Sequence, residues 1–337
     1  MKRRWFGKRS VVVGAVVALA CSALAACGGG SSSGDTGNDA AKEKNVTINV
    51  GILPITSVGA LMLGIDKGFF KDEGITIKTN VAQSGAALVP AIVSGQYQFA
   101  FSNNLSLIIA AGKNLPVRIV RTANSADSDP TPSQEALFVS KNSPIKALKD
   151  LQGKTVAVNS LNNTPHLAVL TTLENAGVDT KTVKFVEVGF PDMPLALELG
   201  RVDAADISEP FVTKATDEGM KDMAHPYRVL AQDLPLSSWF TTQSYIDTNK
   251  DVVKRFARAV DKSNTYAQAH VEEVRSFIPT YLKVDLDLAK RMAMPRYPEG
   301  TPSQEILQKL AQGAAHFGFV KTPATAEQLK SLVANIG

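Results

Sequence analysis

Apolar and polar positions along the chain alternate between short β-rich runs and stretches of helical period. VTINVGI (46–52) predicts a strand, bounded by turn residues. VGALMLGIDKGFF, which follows LPITS, has apolar positions at helical spacing and predicts a helix. ITIKTNV (75–81) predicts a strand, SGAALVPAIVSG (84–95) a helix and QFAFS (98–102) a strand. About one hundred residues later the order recurs: TVAV (155–158), TPHLAVLTTLENAG (164–177), VKFVEV (183–188), PDMPLALELG (191–200) and DAADI (203–207). Residues 91–100 align over 196–205 without a gap, matching Ala91 with Ala196, Gly95 with Gly200 and Ala100 with Ala205. Both glycines fall where a helix C-cap is expected. Strands alternating with helices predict parallel sheets, and the repeated order predicts two similar α/β lobes.

Beyond Asp247 the pattern turns helical. Val252, Val253, Phe256, Ala257 and Val260 recur on one helical face, and further helices fit 285–293, 302–316 and 325–335. The fold class is therefore α/β: two lobes with a cleft between them and a helical C-terminal segment.

The N-terminal segment has a different character. MKRRWFGKR is basic, and residues 11–26 form an apolar run of 16 residues, short of the roughly 20 that a membrane span needs. A basic start, a short apolar core and small residues at its end make a secretory signal peptide over 1–26. Leu24-Ala25-Ala26-Cys27 resembles the bacterial lipobox, which implies a lipidated Cys27 at the mature N-terminus and a flexible linker over 27–45. A diacylglyceryl group would hold the protein at the outer face of the cell membrane, since a single acyl chain binds only marginally. KRRWFGK also resembles a twin-arginine export signal, with Lys2 in place of the usual Ser or Thr, so the general and twin-arginine export routes both stay open.

Removing residues 1–26 takes five of the 36 basic residues and none of the 32 acidic ones, which leaves a net charge of −1. The basic balance of the whole chain thus comes from the leader and does not point to nucleic acid. Cys27 is then the only cysteine, so no intramolecular disulfide is expected. His166, His225, His270 and His316 are scattered without ligand spacing, and neither a metal nor a cofactor is expected. No G-x-S-x-G or H-E-x-x-H motif occurs. LQGKT (151–155) resembles the end of a P-loop, but Leu148 stands where its first glycine belongs and a strand follows. The expected protein is a binder and not an enzyme.

In open parallel sheets ligands bind beyond the strand C-termini. That rule selects the loops 53–58, 82–84, 102–104, 159–164, 189–191 and 208–211. They are rich in Ser, Thr and Asn and run into helix N-termini, whose free N–H groups favour an anion. Ser, Thr and Asn are also ordinary N-caps, so each alone is explained by capping. The candidate ligand residues are Thr56, Ser57, Ser84, Gly85, Asn103, Asn104, Asn163, Thr164 and His166, with Glu209, Phe211 and Trp239. Glu209 either starts its own helix beside Pro210 or contacts ligand, and Trp239 either fills a core or faces the cleft.

IDKGFFKDEGITIK, AIVSGQYQFAFSN, SPIKALKDLQGKTVAV, ALELGRVDAADISEPF and DVVKRFARAVDKSNTYA together resemble the substrate-binding proteins of ABC importers for nitrate, sulfonates, taurine and thiamine-pyrimidine precursors. The resemblance spans residues 46–335 and implies a type II periplasmic-binding fold that closes on its ligand by hinge bending. It implies lobe 1 over 46–138 and 240–337 and lobe 2 over 139–239, with crossings at EALFVSKNS and SSWFTTQSYI. It also implies a monomer that delivers a small oxyanion, such as a sulfonate, carboxylate or nitrate, to a membrane permease. The alternative ligand is a pyrimidine precursor or other aromatic heterocycle, with Glu209 accepting from an amino group and Trp239 stacking on the ring. An enzyme of the related pyrimidine-synthase type would need a cysteine-rich iron motif, which this chain lacks, and a sensor role remains a third option. The selected loops contain no arginine, unlike many anion sites.

Overall fold

The computed structural model describes residues 45–126 and 133–337. Cys27 and the rest of the leader lie outside them. Ten strands form two sheets: β1 (Val46–Ile52), β2 (Ile75–Val81), β3 (Phe99–Asn103), β4 (Val117–Ser125), β5 (Glu135–Val139), β6 (Thr155–Val158), β7 (Lys184–Glu187), β8 (Ala204–Ser208), β9 (Lys221–Ala224) and β10 (Pro235–Thr242). The first sheet has the order β2-β1-β3-β10-β4 and the second β7-β6-β8-β5-β9. In the first, β1 runs parallel to β2 and β3, while β10 is antiparallel to β3 and β4. In the second, β6 runs parallel to β7 and β8, while β5 is antiparallel to β8 and β9.

The two sheets thus share one topology, and the repeat read from the sequence is built into their registers. Ala100 pairs with Gly51 in the first sheet, and Ala205, its aligned counterpart, pairs with Ala157 in the second. Small residues suit both positions. A Cβ on Gly51 would stand 2.5 Å from a methyl of Leu88, on the helix Gly85–Val93 that covers this strand.

Strand β5 lies wholly in the second sheet and β10 wholly in the first. The chain therefore passes between the sheets after β4, before β5 begins, and again at residues 225–234. Both passages precede the expected crossings by a few residues, because Glu135–Val139 finds its ladder partners in β8 and β9, and Pro235–Thr242 finds its own in β3 and β4. Strands β4 and β9 and the helix Asn104–Gly112 have no counterpart among the predicted elements. The predicted helix over 58–70 is divided into Thr56–Val58, Gly59–Asp66 and Phe69–Asp72, with Gly68 at φ 80° between the last two.

The C-terminal segment is helical as expected: Lys250–Ala269, Val271–Leu282, Leu286–Arg291, Gln304–His316 and Ala326–Leu332. Lys250–Ala269 buries Val253, Phe256, Ala257 and Val260, four of the five residues of the predicted face. Phe256 stacks on Phe99 of β3 with ring centroids 3.8 Å apart, which fixes this helix to the first sheet. Among the described residues no helix is long and apolar enough to cross a membrane.

Candidate functional site

The carboxyl ends of β1, β3, β6, β7 and β8 converge on one cavity between the two sheets. Its first-sheet wall comprises Leu53, Ile55, Ser57, Gly85, Phe101, Asn103, Leu236 and Ser237. The second-sheet wall comprises Gln134, Asn159, Thr164, Pro165, Phe190, Ser208 and Tyr227. No formal charge stands in either wall. The cavity measures about 40 Å³, on a scale where one water needs about 10–15 Å³. It suits a solute of few non-hydrogen atoms.

Local sequence explains how these groups arrive. Ser84 caps the helix Gly85–Val93 by accepting from the Ala87 N–H at 3.3 Å, which turns the helix start toward the cavity. Gly85 is required there, since a Cβ would stand 2.6 Å from Cα of Ser102 on β3. Asn103 caps the helix Asn104–Gly112, and Asn163 caps the helix Thr164–Asn175. Asn124 on β4 donates to Ser57 Oγ at 3.2 Å, leaving the Ser57 hydroxyl hydrogen to point elsewhere.

A contact at Asn103 ties the two walls. Asn103 Oδ1 accepts from its own helix at Ser106 N (2.9 Å) and from the Thr164 N–H and hydroxyl across the cleft (both 3.2 Å). Thr164 Oγ1 in turn receives the Leu105 N–H at 3.4 Å. Two helix N-termini, one from each lobe, are therefore capped jointly.

Of the sequence-selected residues, Ser57, Gly85, Asn103 and Thr164 line the cavity. The others stand behind it. Thr56 is buried, its N–H on the Glu209 carbonyl and its own carbonyl receiving the Tyr297 hydroxyl. Asn104 is buried between the Pro235 carbonyl and the Ser238 hydroxyl, joining its helix to β10. Asn163 bonds His166 N and Asn159 Oδ1. His166 accepts from Asn162 N and sits between Phe185 and Phe319, where burial drops its pKa to about 4 and keeps the ring neutral. Phe211 is half-buried against the main core. Trp239 is a core residue, edge-on to Phe101 and Phe256, so that Phe101 and not Trp239 faces the cavity.

Glu209 points at its own helix start. Its carboxylate accepts from Thr213 N (3.0 Å), the Thr213 hydroxyl (2.6 Å) and Ala293 N of the C-terminal segment (3.0 Å). Burial pushes its pKa up to about 7 despite these bonds. The heterocycle alternative requires Glu209 and Trp239 at the ligand, and both stand elsewhere.

Gln134, Tyr227, Leu236 and Ser237 were invisible to strand-end reasoning, since each reaches the cavity through or beside a crossing, whereas Phe190 stands in the selected loop 189–191. Behind Ser208 and Tyr227 lie two fully buried carboxyls, Glu135 and Asp206. Burial pushes Asp206 up to about 7. Burial first, and the charge of Asp206 second, hold Glu135 well above the usual carboxylate range. Two adjacent carboxyls out of water cannot both ionise, so one keeps its proton. An isolated acid in each of the apolar strands EALFV and AADIS is the signal that could have flagged them.

Glu135, Asp206 and Glu209 bind protons more tightly folded than unfolded. Their stabilisation is complete below their unfolded pKa, about 4–4.5; for Asp206 and Glu209 it is lost as pH rises through about 7, and for Glu135 it is lost as pH rises through its raised folded pKa. His166 acts oppositely only below about 6.5, its ordinary value. The melting temperature should therefore fall between pH 6 and pH 8, and Glu209→Gln should flatten part of that fall. Thermal denaturation across this range checks it; an unchanged slope in the variant would contradict the assignment.

The model of the family described as NMT1/THI5 like matches residues 55–274. The taurine-binding periplasmic protein of Escherichia coli is 29% identical over 203 residues, which is 60% of this chain and 61% of that protein. A ligand-binding component of an ABC-type import system from Staphylococcus aureus superposes with a TM-score of 0.73 at 17% identity, covering 86% of this chain and 96% of that one. The alkanesulfonate-binding protein of Xanthomonas axonopodis pv. citri, solved with MOPS bound, gives 0.70 at 15% identity, covering 86% and 99%. These two likenesses show the fold, that of periplasmic binding proteins. Two topologically matched lobes enclosing a small polar cavity, together with the match over residues 55–274, place this chain in the NMT1/THI5-like family.

Proposed function

We propose that this chain is the extracytoplasmic solute-binding subunit of an ABC importer, which captures a small organic oxyanion of the sulfonate class and delivers it to a membrane permease. The observation that carries this proposal is the cavity: small, enclosed by both lobes and walled with neutral donors at strand ends. Ser57, Ser208 and Ser237 offer hydroxyls, and Gly85 offers a backbone N–H at a helix start. Such donors hold an anion without a formal cation, each charge-assisted bond contributing about 1.5–3 kcal/mol. The taurine-binding relative and the alkanesulfonate-binding fold neighbour favour the sulfonate class. In this account the protein works as a monomer, tethered to the outer face of the membrane through a lipid on Cys27.

Ethanesulfonate, acetate and nitrate, screened by thermal shift, should separate the classes. A ligand at 100 times its Kd stabilises by about 2.7 kcal/mol. The sulfonate should raise the melting temperature, and Ser57→Ala should weaken its affinity about five- to tenfold by calorimetry, the loss of roughly one hydrogen bond. A panel in which no sulfonate binds would overturn the assignment.

The tether has its own test. Wild-type protein should partition with membranes and give the mass of a diacylated chain beginning at Cys27. Cys27→Ala should be released to the soluble fraction or stay unprocessed. An unmodified wild-type chain cut elsewhere would contradict the lipid anchor.

A further inference from the structure

Nothing in its own lobe requires residue 189 to be glycine. Gly189 has φ −63° and ψ 143°, a conformation open to any residue. Beyond its chain neighbours, the nearest atom of its own lobe to a Cβ there is Asp192 Oδ2 at 3.7 Å, an ordinary contact. The other lobe leaves no room: a Cβ on Gly189 would overlap the side-chain oxygen of Gln83. Gln83 is exposed, and its side-chain amide hydrogen-bonds no other described residue. It lies on the bare Gly189 backbone and is tied to neither lobe.

The topology gives this contact its place. Gln83 stands two residues past β2, and Gly189 two residues past β7. Each of these strands is the outer one of its sheet. Both passages of the chain between the sheets use the opposite margins, formed by β10 and β4 in the first sheet and by β5 and β9 in the second. Hinge bending about those passages separates Gln83 from Gly189 more than it separates Asn103 from Thr164, which follow the inner strands β3 and β6. The cavity wall begins directly behind the contact. Gly85 is two residues beyond Gln83, and the buried Phe190 follows Gly189.

Building on the solute-binding reading above, we propose that Gln83 is the gate of the cavity and Gly189 its seat, and that the gate sets the length of solute the site encloses. The chain crosses the opposite margin twice, so a solute enters and leaves on the side that Gln83 covers. With its amide unbonded, Gln83 acts through bulk. A solute too long for the space behind it has to displace the side chain, and a side chain on Gly189 takes its seat.

Calorimetry and stopped-flow kinetics on the mature protein, with ethanesulfonate and 1-butanesulfonate, test this. Gln83→Ala should speed release of ethanesulfonate about fivefold and shift the preference toward the butane compound about tenfold. Gln83→Met, which restores the length without the amide, should bring both back to within about twofold of wild type. Gly189→Val should weaken ethanesulfonate binding about tenfold, but no more than about twofold when added to Gln83→Ala. Its ligand-free melting temperature should stay within about 2 °C of wild type. A chain-length preference that Gln83→Ala does not move would overturn the gate and leave the sulfonate assignment standing. So would a Gly189→Val loss that persists beside Gln83→Ala, or a lowered ligand-free melting temperature, since either puts the need for glycine in its own lobe. If neither sulfonate binds wild type, the sulfonate assignment falls and the gate is read without ligand. Gln83→Cys with Gly189→Cys, in a Cys27→Ser chain, should then be joined by a bis-thiosulfonate with a two-carbon spacer, and absence of that cross-link would overturn the gate as well.

Discussion

The side-chain carbonyl of Asn103 is the point at the cavity edge where a helix start of each half of this protein shares one acceptor. It serves its own helix through Ser106 N and the other lobe through the Thr164 N–H and hydroxyl. Helix starts leave N–H groups that the helix itself cannot satisfy. Here the unsatisfied N–H at Thr164 finds its acceptor in the opposite lobe, at the edge of the cavity. Each such bond contributes about 0.5–1.5 kcal/mol net, because water can replace it when the lobes part. A latch of that size is weak enough to open and strong enough for a bound solute to bias.

Electrostatics follow from the same arrangement. With no charged group in the cavity wall, an oxyanion meets hydroxyls, amides and one glycine N–H. The charges that exist nearby are set one layer back and kept out of water. Glu209 spends its carboxylate on Thr213 and Ala293, linking the second lobe to the C-terminal segment. Glu135 and Asp206 form a buried pair whose retained proton bridges the two carboxyls. Glu209 is thus accounted for by the bonds it accepts, and the pair by its shared proton and the Tyr227 N–H.

Much of the fold is legible in the chain. VTINVGI, ITIKTNV and TVAV form strands with the boundaries their patterns predict, and the caps Ser84, Asn103 and Asn163 start helices. These features are local, set by alternation and by side chains that bond their own backbone. Even the topological repeat shows, through Ala100 and Ala205. The site is less legible because a cap and a ligand contact use the same residue types at the same positions. Asn163 and Asn104 are occupied by protein partners, while Ser57 and Thr164 reach the cavity. Trp239 reads equally well as core or cleft, and only the placement of Phe101 in front of it decides. Gln134 and Tyr227 come to the cavity by way of the crossings, a tertiary fact with no local signature.

The latch at Asn103 can be observed directly by amide hydrogen exchange resolved to single residues. The Thr164 and Leu105 N–H groups take part in the contact between lobes, whereas the Ser106 N–H bonds Asn103 within one lobe. With saturating 2-aminoethanesulfonate or ethanesulfonate, whichever binds, exchange at Thr164 and Leu105 should slow together by at least tenfold, with Ser106 changing far less. Exchange at Thr164 and Leu105 that is unaltered at saturation would contradict a cleft that closes on its ligand through this contact.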